Sequence, residues 1–71
     1  MGGVLTRKQF DLLEAMALSD AALTQRQIED MTGYSLGTVN RTVKELNEAG
    51  FASDGRITDK GLEALEPYRA K

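Results

Sequence analysis

Thr24-Gln25-Arg26-Gln27-Ile28-Glu29-Asp30-Met31-Thr32-Gly33-Tyr34-Ser35-Leu36-Gly37-Thr38-Val39-Asn40-Arg41-Thr42-Val43-Lys44-Glu45-Leu46 is the stretch on which the fold turns. It opens on Thr24 with Gln27 three positions later. In that spacing the hydroxyl accepts a free backbone N–H and the amide side chain reaches back to the cap. Ile28 and Met31 then supply the apolar stripe of a two-turn helix over 25–32, and Gly33 is suited to a left-handed stop. Tyr34 falls in a tight turn, and Ser35 is placed to cap a longer helix over 36–49 that Gly50 closes. Leu36, Val39, Val43 and Leu46 step by three, four and three, which puts them on one inward stripe. Gly37, Arg41, Lys44 and Glu48 lie opposite, with Thr38, Asn40 and Glu45 beside them. A short helix, a three- to four-residue turn containing glycine and a long Ser-capped helix make a helix-turn-helix.

Working outward, Thr6 and Gln9 repeat the capping-box spacing and start a helix over 7–18. Phe10, Leu13 and Ala17, flanked by Leu12 and Met16, form its apolar face, with Lys8, Asp11 and Glu14 away from it. In the link Ser19-Asp20-Ala21-Ala22-Leu23 only Leu23 is strongly apolar, and a one- or two-residue strand is possible there. Beyond Gly50 the period becomes two: Phe51-Ala52-Ser53 and Arg56-Ile57-Thr58 flank Asp54-Gly55, a pair that tolerates the positive φ of a type I′ turn. This predicts a small hairpin, a wing, over 51–58. Thr58 is placed to cap a last helix over 59–66, with Leu62 and Leu65 inward. Pro67 cannot donate to the Glu63 carbonyl, so this helix is expected to kink or stop near Glu66. The expected core joins Val39, Val43 and Leu46 to Phe10, Leu13, Ile28, Leu62 and Leu65, with Tyr34 against it. The fold class is therefore mainly α with a small β-hairpin, a winged helix-turn-helix in the order α-α-α-β-β-α, in one domain over 1–71.

Composition narrows the chemistry. The 71 residues contain no Cys, no His and one Pro, and carry a formal net charge of -2. Thiol redox chemistry, haem or Fe–S ligation, His-based general base catalysis, Ser-His-Asp triads and Cys/His zinc sites all lose their ligands or bases. No catalytic residue, metal or cofactor is expected. No apolar run approaches the length of a membrane span, and Met1-Gly2-Gly3-Val4-Leu5 lacks the basic stretch and apolar core of a signal peptide, so a cytoplasmic location is expected. Asn40-Arg41-Thr42 matches a glycosylation acceptor but falls mid-helix, where coincidence is the better account. The carboxylate pairs Glu45/Glu48 and Glu63/Glu66 share helix faces and, without further ligands, read as solvated surface.

The fragments Leu23-Thr24-Gln25-Arg26-Gln27-Ile28, Thr32-Gly33-Tyr34-Ser35, Thr38-Val39-Asn40-Arg41-Thr42-Val43-Lys44-Glu45-Leu46, Ala49-Gly50-Phe51 and Ile57-Thr58-Asp59-Lys60-Gly61-Leu62-Glu63-Ala64-Leu65 follow one another with a fairly specific spacing. In this the chain resembles the bacterial winged-helix regulators of the MarR-like type, over about residues 5 to 66. The resemblance implies that the Ser-capped helix enters the major groove of double-stranded DNA. Its candidate contacts are Ser35, Gly37, Thr38, Asn40, Arg41 and Lys44. Arg suits guanine, Asn suits adenine, and Lys and hydroxyls suit phosphates. Thr24, Gln25 and Arg26 at the preceding helix start would offer donors to a phosphate, and Arg56 on the hairpin would reach a minor groove. Similar winged helices also stand ahead of catalytic domains, including bacterial sugar-phosphate or phosphocholine nucleotidyltransferases. The ending Tyr68-Arg69-Ala70-Lys71, which reads like a linker, fits the N-terminal domain of a longer protein.

Plainer readings stand beside these. Arg41 with Glu45 and Lys44 with Glu48 are i,i+4 pairs of a kind that merely solubilises a helix face, at about 0.2 to 0.5 kcal/mol each. Over Thr24 to Gly50, Arg26, Arg41 and Lys44 face Glu29, Asp30, Glu45 and Glu48, one negative charge in excess. Arg56 also suits mere turn decoration. Glu29 occupies the position, four before the turn glycine, where helix-turn-helix sequences commonly carry a small residue. Either the helices cross farther apart there or Glu29 extends outward. Two functions thus compete: a DNA-binding regulator, and a module that binds protein or a neighbouring domain. Too few apolar residues follow Pro67 to bury a dimer interface, so a monomer is expected.

Overall fold

Three side-chain caps set the starts of the first three helices in the computed structural model, which describes residues 5–69. The readings made at Met1–Val4 and at Ala70 and Lys71 lie outside the described residues. Thr6 and Gln9 form a complete capping box before α1 (Arg7–Ala17), and Thr24 and Gln27 form another before α2 (Gln25–Thr32). Ser35 accepts from the Thr38 N–H to start α3 (Leu36–Ala49). Such caps contribute about 1 kcal/mol each. Gly33 and Gly50, at φ 82° and 83°, close α2 and α3 in the left-handed conformation. Two short antiparallel strands follow, β1 (Ala52–Ser53) and β2 (Arg56–Ile57), with Ala52 opposite Ile57 and Ser53 opposite Arg56. Asp54 and Gly55 both take positive φ in the turn between them. The last helix, α4, is Asp59–Arg69.

Helix α1 is the centre of the packing. Its Leu12, Leu13 and Met16 are buried with Leu5, Ile28 of α2, Val39 and Leu46 of α3, Ala52 of β1 and Leu65 of α4. Burying each large side chain contributes about 1.5–3 kcal/mol. Phe10, Leu23, Tyr34, Val43, Phe51, Ile57 and Tyr68 close over this cluster, each half-buried.

Several inward assignments need correction. Leu62 is 43% exposed. The inward line of α4 is Gly61, Leu65 and Tyr68, spaced four and three, because Gly61 lies against the Phe51 carbonyl with no room for a side chain. Met31 is 51% exposed, since Ile28 alone anchors the two turns of α2 in the core. In α3 the buried residues are Val39, Thr42 and Leu46; Val43 is half-buried and Leu36, in the first turn, is exposed. Helix α4 does not stop at Glu66 but runs through Pro67 to Arg69. The missing N–H costs one bond in the final turn. Tyr68 anchors that turn instead, accepting from the Leu5 N–H at 3.0 Å and setting its ring centroid 5.2 Å from that of Phe10. Leu23 forms no strand. It makes a single backbone bond, its N–H donating to the Gly55 carbonyl at 3.0 Å.

Candidate nucleic-acid interface

The direction of α3 is set before the helix begins. The Tyr34 hydroxyl, in the turn after α2, donates to the Asp11 carboxylate of α1. That hydrogen bond, with burial and the negative charge of Asp11, raises the phenol's pKa above its ordinary 10.0. Ser35 accepts from the Thr38 N–H at 3.3 Å, and its hydroxyl lies 3.1 Å from that of Thr38. Both hydroxyls are therefore already engaged in the cap, as is that of Thr24, which accepts from the Gln27 N–H. Glu29 is half-buried, and its carbonyl accepts the Gly33 N–H at 2.8 Å.

With Val39, Thr42 and Leu46 turned inward, α3 presents a ridge of Gly37, Asn40, Arg41 and Lys44, all exposed. Shallow depressions flank its first half. One, between α2 and α3, is lined by Gln25, Leu36, Gly37, Asn40 and Arg41. The other lies between the start of α1 and α3, with Thr6, Arg7, Lys8, Thr38, Arg41 and Glu45 on its walls. Arg41 borders both. Asn40 Nδ2 donates to Gln25 Oε1 at 3.2 Å, which leaves Asn40 its second N–H and its carbonyl oxygen. A side chain built on Gly37 would meet nothing within 4 Å, so the protein's own packing does not require a glycine there.

The charges are arranged differently from the helical spacing. Among the described residues the one ion pair is Arg7 with Asp11, at 3.4 Å. Neither Arg41–Glu45 nor Lys44–Glu48 forms. Glu45 Oε1 accepts instead from Gln9 Nε2 at 3.0 Å, and Gln9 Oε1 accepts the Thr6 N–H at 3.0 Å. Arg41 and Lys44 consequently stand on the ridge without a carboxylate in ion-pair range. Arg7 and Lys8 join Arg41 from the side, two cations that a count along the helix-turn-helix leaves out. Only the packing of α1 on α3 reveals them; no spacing in the sequence does.

Of the residues read from the sequence, Gln25, Gly37, Asn40 and Arg41 meet in one depression, and Thr38 and Arg41 in the other. Thr24, Arg26, Ser35, Lys44 and Arg56 border neither. Arg56 is exposed on β2, beside a hairpin turn whose Gly55 is pressed onto the Leu23 backbone. Among the described residues no group of three or more acidic side chains is placed to hold a metal ion, and no helix is long and apolar enough to cross a membrane.

A family model described as the MarR family matches residues 5–57, from the residue before the α1 cap to the end of β2. No curated protein and no solved structure matches the chain.

Proposed function

The chain belongs to the MarR family, and from that premise we propose that it binds double-stranded DNA through α3 as a transcription-regulating winged-helix module, without catalytic activity. The observation that carries this reading is the exposed ridge of Gly37, Asn40, Arg41 and Lys44, whose two cations have no carboxylate partner. A helix fits a major groove about 12 Å wide. Arg41 would take guanine N7 and O6 bidentately, and Asn40, braced by Gln25, would face adenine. Lys44, one turn farther along, would take a phosphate. Gly37 would let the DNA come close to the α3 backbone.

Titration of the chain with mixed genomic DNA fragments at several salt concentrations tests this. The expected result is retention at low salt and an affinity that falls linearly on logarithmic axes as salt rises, because each neutralised phosphate releases counterions. Absence of retention at low salt contradicts it. The second reading, docking of a protein or neighbouring domain, is favoured by one feature: Leu18 is 72% exposed beside Met31, in a depression bordered by Asp11 and Glu14. It takes first place if DNA is not retained.

A further inference from the structure

We propose that the depression between the start of α1 and α3 seats one phosphate of the DNA backbone, held by Arg7 and Lys8 with the hydroxyl of Thr42, while Arg41 at its rim stays with the base it reads. The proposal rests on the DNA-binding reading and adds to it a contact on α1, outside the helix-turn-helix.

Charge supports it first. Three cations and one carboxylate, Glu45, line the depression. Glu45 already accepts from Gln9 Nε2, and Asp11 meets Arg7 at Nε, the Arg7 side chain remaining 84% exposed. The first turn of α1 holds no acidic residue to neutralise its free N–H groups, which add positive potential.

Thr42 is the independent observation. It is a polar residue only 4% exposed, and it lines this depression. Its hydroxyl makes no hydrogen bond to any described residue, unlike that of Thr32, which donates to the Ile28 carbonyl within its own helix. Yet no sealed polar side-chain atom among the described residues lacks a partner, so the Thr42 oxygen opens onto the depression. An open hydroxyl without a protein partner, on an otherwise buried side chain in a depression that three cations line, suits an oxyanion that accepts its hydrogen bond. Arg41 borders this depression and the one beside Asn40, so a duplex lying along the ridge passes over both.

The test compares the chain with the Arg7→Ala/Lys8→Ala double variant and with Thr42→Val, each first checked for an unchanged circular dichroism melt. The double variant should lower the slope of log affinity against log salt by about 1, the loss of one phosphate contact, on every DNA sequence alike. Thr42→Val keeps the buried shape, removes the hydroxyl and should weaken binding about tenfold. If the parent chain binds DNA and the double variant keeps its slope, the phosphate seat is wrong and the DNA reading survives. If the parent chain does not bind DNA, both fall. Inorganic phosphate, at matched ionic strength, should leave the Lys8 and Thr42 amide resonances in place. Shifts as large as those DNA produces would assign the depression to a free anion and overturn the backbone contact.

Discussion

Gly61 and Gly37 are both glycines inside helices, and the space around them differs completely. A Cβ on Gly61 would lie 2.2 Å from the Phe51 carbonyl oxygen and 2.7 Å from Ile57 Cγ1, whereas a Cβ on Gly37 would touch nothing. Around Gly61 the seam between α4 and the hairpin is satisfied by the chain itself. Thr58 donates its hydroxyl to the Gly50 carbonyl at 2.7 Å and accepts the Gly61 N–H at 3.1 Å, while its own N–H reaches the Phe51 carbonyl. Around Gly37 the ridge holds Arg41 and Lys44 with no ion-pair partner. The seam is explained by internal packing. The ridge has no such partner among the described residues.

The largest expected effect comes from breaking the seam. Gly61→Ala forces α4 off the hairpin and should cost about 3 kcal/mol, the upper end for overpacking. At about 4–8 °C per kcal/mol for a domain of this size, its melting temperature should drop by more than 10 °C. A drop no larger than that of Gly37→Ala would erase the distinction between the two regions.

An intermediate effect is expected at the Tyr34–Asp11 bond, which ties the turn before α3 to α1. The phenol's pKa is raised in the folded chain, so the neutral form is the one that folding favours. The stabilisation is complete below the unfolded value near 10.0 and is lost as pH rises through the higher folded value. Thermal melts at pH 8 and pH 11 should show Tyr34→Phe less stable than the parent at the lower pH, with the gap closing at the higher. A gap independent of pH would mean that the hydroxyl does not hold α3 to α1.

The smallest effect on stability, and the sharpest on function, belongs to Gly37→Ala. Alanine relieves the entropic cost of a helical glycine, so the melt should rise by the equivalent of about 0.5 kcal/mol. If the duplex approaches α3 at Gly37 as proposed, DNA affinity should fall, because the added methyl would stand in its way. Unchanged affinity would leave the openness at Gly37 without a functional meaning.

What the sequence disclosed was the local chemistry. Both capping boxes, the Ser35 cap, the left-handed Gly33 and Gly50 and the Asp54-Gly55 turn depend on residues at most four positions apart, and the winged fold class follows from their order. The core joining Val39 and Leu46 to Leu13, Ile28 and Leu65 was legible too, but the finer contacts between elements were not. Leu62 has the right spacing for burial, but the close approach at Gly61 turns it outward. Thr42 is buried more deeply than Val43, which still packs against the core; the rotation of about 100°, one residue of helix, is one that periodicity does not resolve. Asp11 looked like a surface acid until Tyr34, 23 positions away, closed on it. Arg7 and Lys8 belong to the candidate site for the same reason, since only the tertiary packing of α1 brings them beside Arg41.

Amide chemical-shift mapping during titration with a duplex locates the bound face of the domain. The perturbed residues should be Gly37, Asn40, Arg41 and Lys44 along the ridge, joined by Lys8 and Thr42, with the surroundings of Leu18 and Met31 unmoved. Perturbation centred on Leu18 and Met31, or none at low salt, would contradict DNA binding through the ridge.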